Sequence, residues 1–148
     1  MAMTMNGEVT LPAPREIVWE KLNDPEVLKK CIPGCEDLEK SSDHEFRATS
    51  KIKVGPISAR FKGRVTLSDF DPPNGYKISG EGEGGMAGFA KGAATVGLVD
   101  AEGGTLLTYN VEAQIGGKLA QLGQRLVNSS AKKLADEFFD KFAASLQE

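Results

Sequence analysis

From Glu36 to Gly116 apolar residues alternate with polar ones at a period of two, and over about the last thirty residues the period changes to three or four. That switch constrains the fold more than any other feature. Phe46, Ala48, Ser50, Ile52 and Val54 share one face, while Glu45, Arg47, Thr49, Lys51 and Lys53 share the other. After the tight turn at Gly55-Pro56, Ile57, Ala59, Phe61, Gly63, Val65 and Leu67 point inward, with Ser58, Arg60, Lys62, Arg64 and Thr66 outward. Such alternation marks half-buried antiparallel strands. "DPPNG" at 71–75 is a strong turn, and Tyr76, Ile78, Gly80 and Gly82 continue the inward face. A glycine-rich turn leads to a strand of small residues ending near Val99. "DAEGG" at 100–104 turns again, and Leu107, Tyr109, Val111, Ala113 and Ile115 close the sheet.

Ahead of this region, Met3, Met5, Gly7, Val9 and Leu11 predict a first strand. "PAPREIVWEKL" and "NDPEVLKKCI" predict two short helices. In the second, Asp24 caps, Pro25 opens and Glu26 meets the positive end of the dipole, before Pro33-Gly34 stops it. At the far end, Leu119, Leu122, Leu126, Leu134, Phe138, Phe142 and Leu146 predict one long amphipathic helix. A sheet with one apolar face needs a cover, and only this helix is long enough. The expectation is a single α+β domain over 1–148: a curved, seven-stranded antiparallel sheet wrapped around a long C-terminal helix, with two short helices between strands 1 and 2.

Charge and composition narrow the partners. The net charge of −3 in 148 residues does not suit nucleic acid or an anionic surface as the main partner. No run of about 18 apolar residues is present. The first residues show no basic start followed by an apolar core, so no leader is expected and the cytoplasm is the expected setting. Cys31 and Cys35 are then expected to stay reduced.

Three stretches carry a family resemblance: "NDPEVLKKCIPGCEDLE" at 23–39, "GFAKGAATVGL" at 88–98 and "GGKLAQLGQRLV" at 116–127. With the element order, they make the chain resemble the helix-grip fold of the START and birch-pollen-allergen superfamily. Within it, the chain is similar to the carbon monoxide dehydrogenase G-subunit family, over nearly its whole length. The resemblance implies a non-enzymatic accessory protein of aerobic, molybdenum-containing carbon monoxide dehydrogenases or related molybdenum hydroxylases. Many such proteins carry a further C-terminal tail with a membrane anchor. Membrane contact is therefore expected to be peripheral, at the inner face, or through such a tail, which these 148 residues do not include. A hydrophobic small molecule, a quinone or another isoprenoid, is the expected ligand, and no cofactor is expected.

Seven of the 17 glycines fall between Gly80 and Gly97. Inward glycine and alanine leave room where other sheets place Leu or Phe. The pattern points to an apolar cavity between sheet and helix, with a close helix approach or a strong bend as the alternative. For the cavity, the candidate residues are Phe46, Phe61, Gly82, Gly92 and Ala94 on the strands. Tyr109 is the polar handle, with Leu122 and Leu126 on the helix. Because successive strands alternate in direction, several connections share one rim with "CIPGC" at 31–35. A mouth there would be made by Cys31, Pro33, Gly34, Cys35 and Pro56, with Met86, Phe89, Gly116 and Gly117 across from them.

Other motifs support less. "GEGEGG" at 80–85 matches a dinucleotide-loop spacing, but a strand rather than a helix follows, so no helix dipole is there to hold a pyrophosphate. The outward bases face outward Glu81 and Glu83 and have no aromatic residues among them, which fits a charge ladder better than a nucleic-acid face. His44, the one histidine, falls in a turn. Two thiols and one distant histidine are too few for a zinc site, and no metal is expected. Two rival functions are a lipid or isoprenoid carrier unconnected to molybdenum enzymes, and a cofactor-free cyclase or hydrolase; the latter would need an ionisable group aimed at the cavity.

Overall fold

A computed structural model describes residues 1–147. Its seven strands form one antiparallel sheet in the order β1-β7-β6-β5-β4-β3-β2. They are β1 (Ala2–Leu11), β2 (Cys35–Ser42), β3 (Glu45–Val54), β4 (Ile57–Asp71), β5 (Gly75–Glu83), β6 (Phe89–Ala101) and β7 (Gly104–Gly116). β1 pairs with β7, from Ala2 opposite Gln114 to Leu11 opposite Thr105, so the first strand joins the last. Helices α1 (Arg15–Leu22) and α2 (Pro25–Cys31) lie between β1 and β2. Asp24 caps α2 as its sequence suggests, accepting a 2.9 Å hydrogen bond from the Glu26 amide. A short 3-10 turn at Gly85–Ala87 joins β5 to β6.

The expected single C-terminal helix is divided. α3 (Lys118–Gln121) is one turn long, and α4 (Gln124–Ser145) is the long element. The break falls at Gly123, whose φ of 90° belongs to no right-handed helix. The apolar period runs through the break because Leu119 and Val127 still face the same small cluster.

The register confirms the outward charge ladder. Lys51 lies opposite Arg60 and Arg47 opposite Arg64. Next to them, Lys62 faces Glu83 and Arg64 faces Glu81, the latter closing to 3.2 Å. Arg60 instead reaches Glu36 on β2 at 2.8 Å. Like charges in register are thus offset by acids on the adjoining strands. These pairs are exposed, so each contributes little to stability.

Two apolar clusters lie between sheet and helices. The larger centres on Leu11, Val18, Leu98, Leu107 and Phe142, all essentially inaccessible to solvent. The smaller joins Met3, Ile115, Leu119 and Val127 at the end where α4 begins. At the opposite end the buried Thr105 hydroxyl donates to the Ala13 carbonyl at 2.7 Å, tying β7 to the β1–α1 connection. The Arg15 side chain adds ties to Asp100, at 2.8 Å, and to Asn74.

Candidate functional site

The larger cluster borders a cavity of about 250 Å³ between the sheet and α4. Its floor is the inward face of five neighbouring strands: Phe46 and Ala48, Val65 and Leu67, Tyr76 and Ile78, Val96, and Leu107. The strand period places them there, since each is an inward member of its alternation. Leu38 closes the β2 side. The roof comes from helices: Leu22 ends α1, Leu28 and Ile32 come from α2 and its cap, and Phe138 and Phe139 come from α4. The two phenylalanine rings meet edge to face at 5.1 Å, and each is held by a further ring, Phe142 at 5.8 Å and Tyr109 at 5.4 Å. The roof aromatics therefore pack as one chain of rings, from Tyr109 through Phe139 and Phe138 to Phe142.

Every lining side chain is apolar except Tyr76. Its ring is held edge-on by Trp19 at 5.2 Å and stacked by Phe70 at 6.4 Å. Its hydroxyl has no hydrogen-bond partner among the described residues. That hydroxyl is not fully enclosed, and the residue lines the cavity. Burial pushes its phenol well above the ordinary tyrosine range, which keeps the proton on oxygen.

The sequence candidates separate into several groups. Phe46 lines the cavity. Phe61 and Leu122 pack in the smaller cluster instead. Tyr109 is buried and stacked on Phe139 but is not a wall residue; the wall residue with a polar group is Tyr76. Leu126 packs over Gly55 at the β3–β4 turn. Gly82, Gly92 and Ala94 do not line the cavity. A Cβ on Gly92 would lie 2.8 Å from the Ala113 Cα, so here glycine permits the close approach of β6 and β7 in a bent sheet. Gly92 and Gly80 instead open onto a groove of about 750 Å³ on the outer face, shared with Arg64, Glu81, Lys91 and Glu112. That groove is larger, but it is open and its charges are partly paired, whereas the inner space is walled by apolar groups.

The expected mouth residues form two neighbourhoods, neither of which lines the cavity. Pro33 and Gly34 border a separate cleft with Lys51, Gly55 and Lys133. The Gly34 carbonyl accepts from the Lys51 amide at 2.9 Å. Cys31 is buried, and the half-exposed Cys35 thiol donates to the Asp37 carbonyl at 3.4 Å; neither is in a disulfide. Pro56 sits exposed at its turn. Met86 is 82% exposed and Phe89 47%, with the Phe89 ring against Gly116 and Gly117 against Gly88. Ile32, inside the "CIPGC" stretch, is the member that reaches the cavity.

Among the described residues no three potential metal ligands gather. No described helix is long and apolar enough to cross a membrane.

A curved antiparallel sheet gripping a long helix over an apolar cavity defines a helix-grip protein. The solved structures agree. The aromatase/cyclase Zhui from Streptomyces sp. R1128 superposes with a TM-score of 0.69 at 13% identity, covering 99% of this chain and 94% of that one. Ara h 8.0201 gives 0.70 at 17%, covering 99% of each. A conserved protein from Geobacillus kaustophilus is far more similar, with a TM-score of 0.92 and 34% identity over 98% of this chain and 95% of that one. The family model of CoxG, the carbon monoxide dehydrogenase G-subunit, matches residues 7–147, and the chain belongs to that family. No curated protein matches the sequence.

Proposed function

We propose that the protein is a non-enzymatic accessory. It holds a hydrophobic small molecule between sheet and α4 and assists an aerobic, molybdenum-containing carbon monoxide dehydrogenase or a related molybdenum hydroxylase. The observation that carries the ligand half is the wall: fourteen residues on nine elements or their caps, thirteen of them with wholly apolar side chains. Burial of apolar surface then supplies the affinity, at roughly 25 cal/mol per Å². The volume is just below the usual range of about 300–1,000 Å³ for small-molecule sites. It fits a ring system or the head of a longer molecule, such as a quinone or another isoprenoid. Family membership supports the enzyme half, and with it a setting in the cytoplasm, at the inner face of the membrane.

Two experiments test the halves separately. Extraction of the protein purified without detergent should release an apolar compound; an empty extract and no uptake of apolar probes would contradict the ligand half. Affinity-tagged protein in cells making the dehydrogenase should co-purify with it, and a tagged control that recovers as much enzyme would contradict the other half.

The aromatase/cyclase neighbours are compatible with a second reading, catalysis of a cyclase type. Such chemistry needs a proton donor or acceptor at the reacting atoms. The wall offers Tyr76 alone, held protonated by burial. Turnover of a cyclase substrate that is lost in Tyr76→Phe would favour this reading over the first.

A further inference from the structure

We infer that the cleft between the end of β3, the turn at Gly34 and α4 is an anion site, and that it takes a phosphate or diphosphate group. It is separate from the apolar cavity, with which it shares no lining residue.

The length of β2 creates this cleft. The ladder between β2 and β3 begins with Cys35 opposite Ser50. Beyond that pair the Gly34 carbonyl accepts from the Lys51 amide at 2.9 Å, and no β2 residue stands beside Lys53. Alternate amides of a strand point to the same side. The Lys53 amide therefore points past the end of β2, as that of Lys51 does, but meets no strand there. α4 supplies the far wall, and a cleft of about 460 Å³ is left between.

Charge sets the ligand class. Lys51 and Lys53 from β3 and Lys133 from α4 line the cleft, and among the described residues none of the three is in an ion pair. On β3 and β4, by contrast, Arg47, Arg60 and Arg64 each reach a carboxylate within 3.2 Å, so the missing pairing belongs to this cleft and not to the whole sheet face. The Ser130 hydroxyl also lines the cleft and makes no hydrogen bond among the described residues, whereas Ser129 beside it donates to the Leu126 carbonyl at 3.1 Å. Glu137 is the acid in the wall, and three ammonium groups against one carboxylate leave an excess of positive charge. Ammonium, hydroxyl and amide all offer protons, which suits a group made of acceptor oxygens. A phosphate group brings three such oxygens and about two negative charges at pH 7. A carboxylate brings fewer of both and matches the cleft less well. Soluble phosphorylated compounds and phospholipid head groups carry the same group, and the test separates them.

The test titrates the whole nitrogen-15-labelled chain with inorganic pyrophosphate at constant ionic strength, followed by amide resonances. Those of Gly34, Lys53 and Ser130 should shift saturably, inorganic phosphate should bind more weakly, and acetate should cause no such shift. Lys51→Gln, Lys53→Gln and Lys133→Gln should each weaken pyrophosphate by roughly fivefold, as the loss of one exposed charge pair implies. Lys118→Gln, which removes an exposed lysine outside the cleft, should leave it unchanged. All four side chains are exposed, so the fold is kept in each variant. The absence of a saturable shift, or equal weakening by Lys118→Gln, would overturn the inference. Flotation with vesicles of phosphatidylcholine and phosphatidic acid, beside phosphatidylcholine alone, then names the source of the phosphate. Binding to the acidic vesicles that is lost when Lys51→Gln and Lys133→Gln are combined assigns the site to a lipid head group. Pyrophosphate binding with vesicle binding absent, or kept by that double variant, assigns it to a soluble phosphorylated compound.

Discussion

Tyr76 combines burial, a fixed ring and an unpaired hydroxyl, and its titration gives the first prediction. Its folded pKa is raised above the ordinary tyrosine value of 10.0. Below pH 10 both folded and unfolded chains hold the proton, and stability does not change on this account. Above it the unfolded chain loses the proton first, so stability falls as pH rises toward the folded value. Urea unfolding at pH 9 and pH 11 should show a larger loss in wild type than in Tyr76→Phe. Without ligand the variant should be no less stable at pH 7, because the hydroxyl removed has no partner. Two glycines give a second prediction. Gly34 and Gly123 both have positive φ, 68° and 90°. At Gly34 a Cβ would strike the Lys51 carbonyl, while at Gly123 it would meet nothing within 4 Å. Gly123→Ala should cost about 1 kcal/mol for the backbone alone. Gly34→Ala should cost about 3 kcal/mol, since strain and overpacking combine. Thermal unfolding of the two variants checks the order.

Among the elements, the strands were the most legible in the sequence. The inward set from Phe46 to Leu67 keeps strict alternation, and the register across Gly55-Pro56 follows from a two-residue turn. The helix break was not legible, because the apolar period runs through Gly123 and only the backbone angle reveals the interruption. The site was half legible. Phe46 and the inward faces of β4 and β5 could be read, but the roof could not. Leu22, Leu28, Ile32 and Phe139 reach the cavity only through the packing of α1, α2 and α4, which no local period encodes. The glycines of β5 and β6 were ambiguous in the sequence, since sheet bending and a cavity both ask for small residues; at Gly92 a Cβ would crowd Ala113 on the paired strand. At this scale the third prediction concerns Thr105, whose hydroxyl holds the Ala13 carbonyl. Thr105→Val keeps the shape but orphans that carbonyl, and should cost about 1–2 kcal/mol, read as a lower urea midpoint with an unchanged slope.

Taken whole, the molecule is a sheet packed on α4 through two apolar clusters, with a space beside the larger one. Packing near Leu119 and Val127 joins the sheet to the start of α4, and at the other end Arg15 and Thr105 tie the β1–α1 connection to the sheet. Interiors are normally filled, so an apolar space of about 250 Å³ forfeits contacts that larger side chains would make. Retaining it has a use if something occupies it. Ala48, a wall residue with the smallest side chain there, offers a way to fill it from within. Native mass spectrometry of detergent-free protein, wild type beside Ala48→Phe, tests that occupancy most directly. A ligand-binding cavity predicts a neutral, apolar adduct on the wild type and none on the variant, whose far-UV circular dichroism and thermal midpoint should be preserved. A wild type that takes up no apolar compound, or an adduct kept equally by the filled variant, would contradict it.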